Sequence, residues 1–130
     1  MIVDTSALLA VLLDEAEADE FTGLLLKSDV CQMSAVSFVE ASIISEAHGG
    51  DGGVRQLDAF VRTAGIAIEP VSEEQALAAR QAYSDYGKGR HPAGLNFGDC
   101  FSYALAKALG EPLLFKGDDF RKTDIVSARE

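Results

Sequence analysis

An α/β fold with a central, mostly parallel sheet of four or five short strands is what three features of the sequence predict. Short apolar runs recur at 1–3, 30–34, 66–71, 112–115 and 124–128. Helix-spaced stretches of ten residues or more lie between most of them, and strands so separated pair in parallel through crossover connections. A length of 130 residues with 48% hydrophobic content suffices for one core, hence a single domain over 1–130, without metal or disulfide staples.

Met1–Val3 is the first strand, and "TSALLAVLLDE" continues it into a helix with Thr5 or Ser6 available as cap. Ala16 to Lys27 fits a second helix, and "VCQMS" at 30–34 a second strand. Ser34 to His48 is an amphipathic helix whose stripe of Val36, Val39, Ile43, Ile44 and Ala47 recurs at three and four and is expected to face the core. "HGGDGG" at 48–53 reads as a turn before another helix over Val54 to Thr63. "IAIEPV" at 66–71 is strand-like, with Pro70 marking its end. Glu73 to about Gly87 is an Ala-rich helix and "GKGRHPAG" a loop. "LNFGDCFSYALAKALG", 95 to 110, is the next helix, followed by strands at "PLLF", 112–115, and "DIVSA", 124–128.

The net charge of −10 argues against a broad basic surface for nucleic acid and favours a basic partner segment. No apolar run approaches the roughly 18 residues needed to cross a bilayer, so no membrane association is expected. Met1 leads straight into Ile2 and Val3 with no basic n-region, so the expected location is cytoplasmic. Cys31 and Cys100 read as reduced core residues.

Open α/β sheets keep their sites at the carboxyl ends of the strands. Asp4 follows the first strand, and Asp118 and Asp119 follow "PLLF" after Lys116 and Gly117. Glu40 falls on the apolar stripe of its helix, with no Lys or Arg between Lys27 and Arg55 to pair with it. A carboxylate facing the interior is costly unless paired or bound to metal. Asp99 stands at the mouth of its own helix. Each acid has a plainer use: Asp4 and Asp99 as helix caps, Asp118 and Asp119 as turn residues, Glu40 bent toward solvent. Together they point to one pocket. Converging carboxylates repel unless cations intervene, and Mg²⁺ or Mn²⁺ prefers such oxygen ligands together with substrate phosphate. His48 and His91 stand apart in loop-like contexts, so no zinc grouping is present. The expectation is metal-assisted phosphoryl chemistry.

"MIVDTSALLAVLLDE", "SAVSFVEAS" and "LNFGDCFSYALAKALGEPLLFKGDDFRKTDI" resemble the PIN domain of VapC-type toxins, the ribonucleases of VapBC toxin–antitoxin pairs, and the likeness runs from Met1 to about Ala128. The resemblance implies a three-layer α/β/α fold and a metal-dependent endoribonuclease hydrolysing RNA phosphodiesters to leave a 5′ phosphate. It makes Asp4 and Asp99 the principal metal ligands, with Glu40 binding directly or through water. Asp118 and Asp119 both remain candidates for the last acid, with Asp118 preferred. Thr5 and Ser6 match the hydroxyl positions that support the first acid, and Asn96 orders the loop presenting Asp99. Lys88, Arg90, His91, Lys116, Arg121 and Lys122 flank the late acids and are candidates for RNA contact. Mg²⁺ is the implied cofactor, with Mn²⁺ as substitute, and a VapB-type antitoxin the implied inhibitor. The leucine-rich stretch Leu8 to Leu26 is expected to form part of the antitoxin groove, and a second apolar surface a toxin homodimer.

Two other readings compete. A haloacid dehalogenase-like phosphatase has acids at similar places, but its nucleophilic Asp is followed two residues later by an acid, where this chain has Ser6. A non-catalytic module binding RNA or a partner has no reason to keep so costly an acid set.

Overall fold

The computed structural model describes residues 1–129. Along the chain run β1 (Ile2–Val3), α1 (Thr5–Leu12), α2 (Ala18–Lys27), β2 (Cys31–Ser34), α3 (Ala35–Ala64), β3 (Ile66–Glu69), α4 (Glu73–Tyr86), α5 (Phe97–Leu109) and β4 (Leu113–Leu114). The sheet has four strands in the order β3-β2-β1-β4, with every pairing parallel. The last expected strand, 124–128, is reduced to a single parallel bridge between Leu113 and Ser127.

The central strands β1 and β2 and the edge strand β4 are largely buried, whereas the edge strand β3 exposes Ala67 and Ile68, and alternation along β1 and β4 divides the core in two. Val3 and Leu114 point to one side, where Leu8, Phe21, Leu25, Met33 and Leu57 pack beneath α1, α2 and α3. Ile2 and Leu113 point to the other, against Ala79, Leu95, Leu105, Phe115 and Phe120 beneath α4 and α5. This is the expected three-layer arrangement.

One expectation for α3 is met and one needs correction. The expected turn at 48–53 is present: Gly50, at φ 58° and ψ −145°, leaves helical geometry and divides α3 into two helical limbs. A Cβ on Gly53 would run into the Ser45 carbonyl oxygen, so glycine here lets the second limb pack tightly against the first. The stripe expected to face the core lies partly in solvent, with Val39 53% and Ile43 64% exposed. The buried stripe is instead Ser37, Ala41 and Ser45, spaced by four. Small side chains allow close approach of this helix to its neighbours, which hydrophobicity alone does not register.

Part of the leucine-rich stretch is core as well: Leu8, Phe21 and Leu25 are fully buried, while Leu13 and Leu26 are exposed. Cys31 and Cys100 are free and buried. Among the described residues no helix is long and apolar enough to cross a membrane.

Candidate active site

The carboxyl ends of β1 and β4 lie side by side, since Asp4 N donates to the Leu114 carbonyl at 3.0 Å. Asp4 is the N-cap of α1, so the capping use applies. It is also 3% exposed, and its carboxylate is held from three directions. Ser6 donates to Oδ2 through both its backbone N (3.0 Å) and its Oγ (2.6 Å), and Ser102 Oγ donates to Oδ1 at 2.5 Å. Ser6 Oγ in turn accepts from Lys116 N at 3.0 Å, which ties the loop after β4 to the first acid. The expected support from Ser6 is therefore direct.

Thr5 serves a different acid from the one expected. Its hydroxyl lies 2.9 Å from Glu40 Oε1 and 3.1 Å from the Ser37 carbonyl, bridging α1 to α3. Glu40 reaches the cluster because residue 98 is glycine: a Cβ there would sit 2.5 Å from Glu40 Oε1. The carboxylate thus lies on the first turn of α5, next to Asp99. Glu40 is half-buried at the edge of a solvent-facing stripe, so it arrives at the site without facing the apolar core.

Asp99 and Asn96 form a reciprocal capping box: Asp99 N donates to Asn96 Oδ1 at 2.9 Å, and Asn96 N donates to Asp99 Oδ2 at 3.0 Å. One carboxylate oxygen caps the helix, and Oδ1 makes no hydrogen bond among the described residues. Burial pushes the Asp99 carboxyl up to about 7, against the opposing hydrogen bond from Asn96, and the charges of Asp4, Asp119 and Glu40 push the same way. Those three charges belong to one electrostatic neighbourhood with Asp99.

The structure treats the two candidates for the last acid, Asp118 and Asp119, unequally. Asp119 is the residue of the pair whose charge acts on Asp99. Asp118 is 81% exposed and lies 3.8 Å from Arg121 Nε, within one turn of its own loop. The two are adjacent in sequence, and only the path of the chain entering the 3₁₀ turn Phe120–Lys122 separates their directions.

No Lys, Arg or His pairs with Asp4, Glu40, Asp99 or Asp119 among the described residues. Lys116 is drawn away to Glu15 (2.9 Å) and Glu17 (3.5 Å). Lys88 and Arg90 make no ion pair there, and Arg90 lies over the Tyr83 ring at 5.6 Å. His91 is occupied in its loop, edge-on to Tyr86 with Ala93 N donating to Nδ1.

The donor set is all carboxylate oxygen, which suits a hard dication and lacks the His and Cys donors that zinc and softer metals favour. Among the described residues no three such side chains already stand in a common coordination geometry. Thr5, Ser6 and Ser102 hold the carboxylates of Glu40 and Asp4 on other hydrogen bonds, so the residues fit a dication by chemistry and charge.

The residues that only the folded chain exposes as parts of the site are Gly98, Ser102 and Ser37, whose Oγ lies 2.9 Å from Ser102 Oγ. Ser102 stood three residues after Asp99 in an otherwise apolar helix and Ser37 three before Glu40; that spacing was the available signal.

The PIN domain family matches residues 1–126. A protein named ribonuclease VapC from Mycolicibacterium smegmatis is 51% identical over 127 residues, covering 98% of each chain. Ribonuclease VapC30 of Mycobacterium tuberculosis is 50% identical over 127 residues, covering 98% of this chain and 97% of the relative. Among solved structures, the toxin VapC20 of Mycobacterium tuberculosis aligns at TM-score 0.80 over 99% of this chain and 98% of its own, with 18% identity, a likeness of fold. With the family pattern and half-identical relatives both spanning nearly its whole length, the chain belongs to the PIN-domain family, among the VapC-type ribonucleases.

Proposed function

We propose that this chain is a dication-dependent endoribonuclease, Mg²⁺ being the ordinary ion and Mn²⁺ a substitute, and that a VapB-type antitoxin restrains it in the cytoplasm. Asp4 and Asp99 hold the metal, Glu40 contributes directly or through water, and Asp119 is the fourth acid. The observation that carries the reading is that the charges of Asp4, Glu40 and Asp119, spread from position 4 to position 119, all bear on Asp99, with no paired cation among the described residues. The antitoxin is supported by a structural neighbour from Klebsiella pneumoniae described as a toxin–antitoxin complex, at TM-score 0.71 and 17% identity over 99% of this chain and 98% of its own. A self-complementary apolar surface would make a homodimer within such a complex.

What a dication supplies here, when bound, is a lowered pKa for the attacking water and compensation of charge building on the phosphate. The protein's own part is positioning. Ser6 and Ser102 fix both oxygens of Asp4, and Thr5 holds Glu40 against Gly98. Asn96 clamps one oxygen of Asp99 and leaves the other without a hydrogen bond among the described residues. Asp99 must lose its proton to serve as a ligand, and a nearby cation favours that loss against the burial that raises its pKa.

The test is cleavage of total RNA by the purified, partner-free protein. Cutting is expected with Mg²⁺ or Mn²⁺, silence with a chelator, and silence for a folded Asp4→Ala protein. Hydrolysis of small phosphomonoesters with RNA left intact would replace the reading with a phosphatase.

A further inference from the structure

Phe97 is 72% exposed, the most exposed large hydrophobic residue among those described. It sits between the two residues that build the site's edge: Asn96, which clamps Asp99, and Gly98, which admits Glu40. Its ring leans on Phe101, centroids 5.0 Å apart, so it is propped and does not swing freely. Two clefts meet at this ring. One, of about 650 Å³, is lined by Val36, Val39, Ile43 and Ile44 with Glu40 as its only charged residue. The other, of about 530 Å³ between α4 and α5, is lined by Ala76, Tyr83 and Phe101 together with Arg80 and Lys88.

Those two cations make no ion pair among the described residues, whereas Lys116 and Arg121 beside the acids are both engaged with carboxylates. Arg90, over the Tyr83 ring, adds a third positive charge to the same rim. On a chain of net charge −10, an apolar cleft edged by free cations and bordered by Asn96, the residue that clamps Asp99, matches one kind of occupant: a polyanion with flat apolar faces. Single-stranded nucleic acid is bound in that way, with bases stacked on aromatic rings and phosphates on basic side chains.

We infer that Phe97 is a base-stacking residue that seats the nucleotide beside the scissile phosphate, and that the cleft between α4 and α5, edged by Lys88 and Arg80, carries the strand away from the site. The inference rests on the ribonuclease reading and adds a specificity element to it. A stacked base fixes the register of the strand over Asp4 and Asp99, and stacking tolerates every base while favouring purines by area.

The experiment uses the full chain and an oligoribonucleotide that the parent protein cuts. Phe97→Ala and Phe97→Leu are expected to raise KM about ten- to a hundredfold with kcat little changed, and Phe97→Trp to hold it near the parent, because leucine keeps the apolar bulk but lacks a π face. Lys88→Gln is expected to weaken binding and lower the salt slope by about one. Since Phe97 is exposed, these variants keep the fold, which a melting curve checks. If both Phe97 variants stay within about twofold of the parent KM, the stacking role falls and the ribonuclease reading stands. If leucine restores KM, or alanine turns a dimer into a monomer in sedimentation, the ring belongs to a protein interface and the inference is overturned. If the parent cuts no RNA with either ion, both readings fall together.

Discussion

The two ends of α5 each hold an aspartate, and they hold it in opposite ways. Beside the last turn, Asp124 receives the Tyr103 hydroxyl at 2.6 Å and the Lys107 ammonium at 2.9 Å. These hydrogen bonds, Tyr103's foremost, keep its carboxyl below the ordinary aspartate value. In the first turn, Asp99 is partly desolvated and surrounded by the charges of Asp4, Asp119 and Glu40, and its carboxyl is pushed up to about 7. Lys107 at the C-terminus also favours the helix dipole, as does Asp99 at the N-terminus. The dipole therefore does not distinguish the two ends; the company each acid keeps does. One arrangement lowers the free energy of the folded chain, and the other holds charge in readiness for a cation.

Replacing one aspartate at a time breaks the comparison most sharply. Asp99→Asn should cost about a thousandfold or more in RNA cleavage, since loss of metal-assisted stabilisation is worth several kcal/mol. Asp124→Asn should leave the cleavage rate within about threefold, because an exposed pair is worth about 0–1 kcal/mol to the fold and nothing to the chemistry. Equal losses for the two variants would erase the distinction.

Gly98→Ala comes next. A methyl group 2.5 Å from Glu40 Oε1 must drive that carboxylate off α5, and displacement by about 1 Å in such a site costs about a hundredfold in kcat. The fold should persist, because the side chain that yields is the far end of a glutamate, and circular dichroism would show it.

The pH dependence separates the two ends without mutation. A folded-state carboxyl at about 7 lies above its unfolded value of 3.8, so between those values the folded chain binds more protons and its stability falls as pH rises. Asp124 behaves oppositely: lowered in the folded state, it contributes stability above 3.8 that is lost on acidification. Mn²⁺ needs Asp99 ionised, so the gain in melting temperature on adding it should be larger at about pH 8 than at about pH 5. Asp99→Asn should raise the metal-free melting temperature at the higher pH and abolish the difference.

Among the variants of the site, the smallest effect expected is on stability at Ser102. Ser102→Ala removes the donor to Asp4 Oδ1 and leaves the buried Ser37 hydroxyl without its partner, a loss of about 1–3 kcal/mol by chemical denaturation. A loss no larger than that of Asp124→Asn would mean that Asp4 does not depend on α5 for its orientation.

Much of this was legible before folding because it is local. The parallel sheet follows from apolar runs separated by helical lengths of chain. Asp4 is tied to Ser6 two residues away and Asp99 to Asn96 three residues away, distances at which capping chemistry operates on sequence neighbours. Glu40 was singled out for facing an apolar interior, yet its stripe faces solvent, and it belongs to the site for another reason. The match to the family depended on the same short segments.

By itself the sequence determined the order of the elements, the strand ends that carry Asp4 and the late acids, and the caps, since these depend on residues within a turn or two of one another. The tertiary structure alone decided that the charge of Asp119 bears on Asp99, that Gly98 makes room for Glu40, that Ser102 grips Asp4 from 98 positions away, and that the face of α3 touching its neighbours is the small one. These are matters of distance between segments remote in the chain. Side-chain pattern fixes which face is apolar, but close packing of backbones fixes which groups meet.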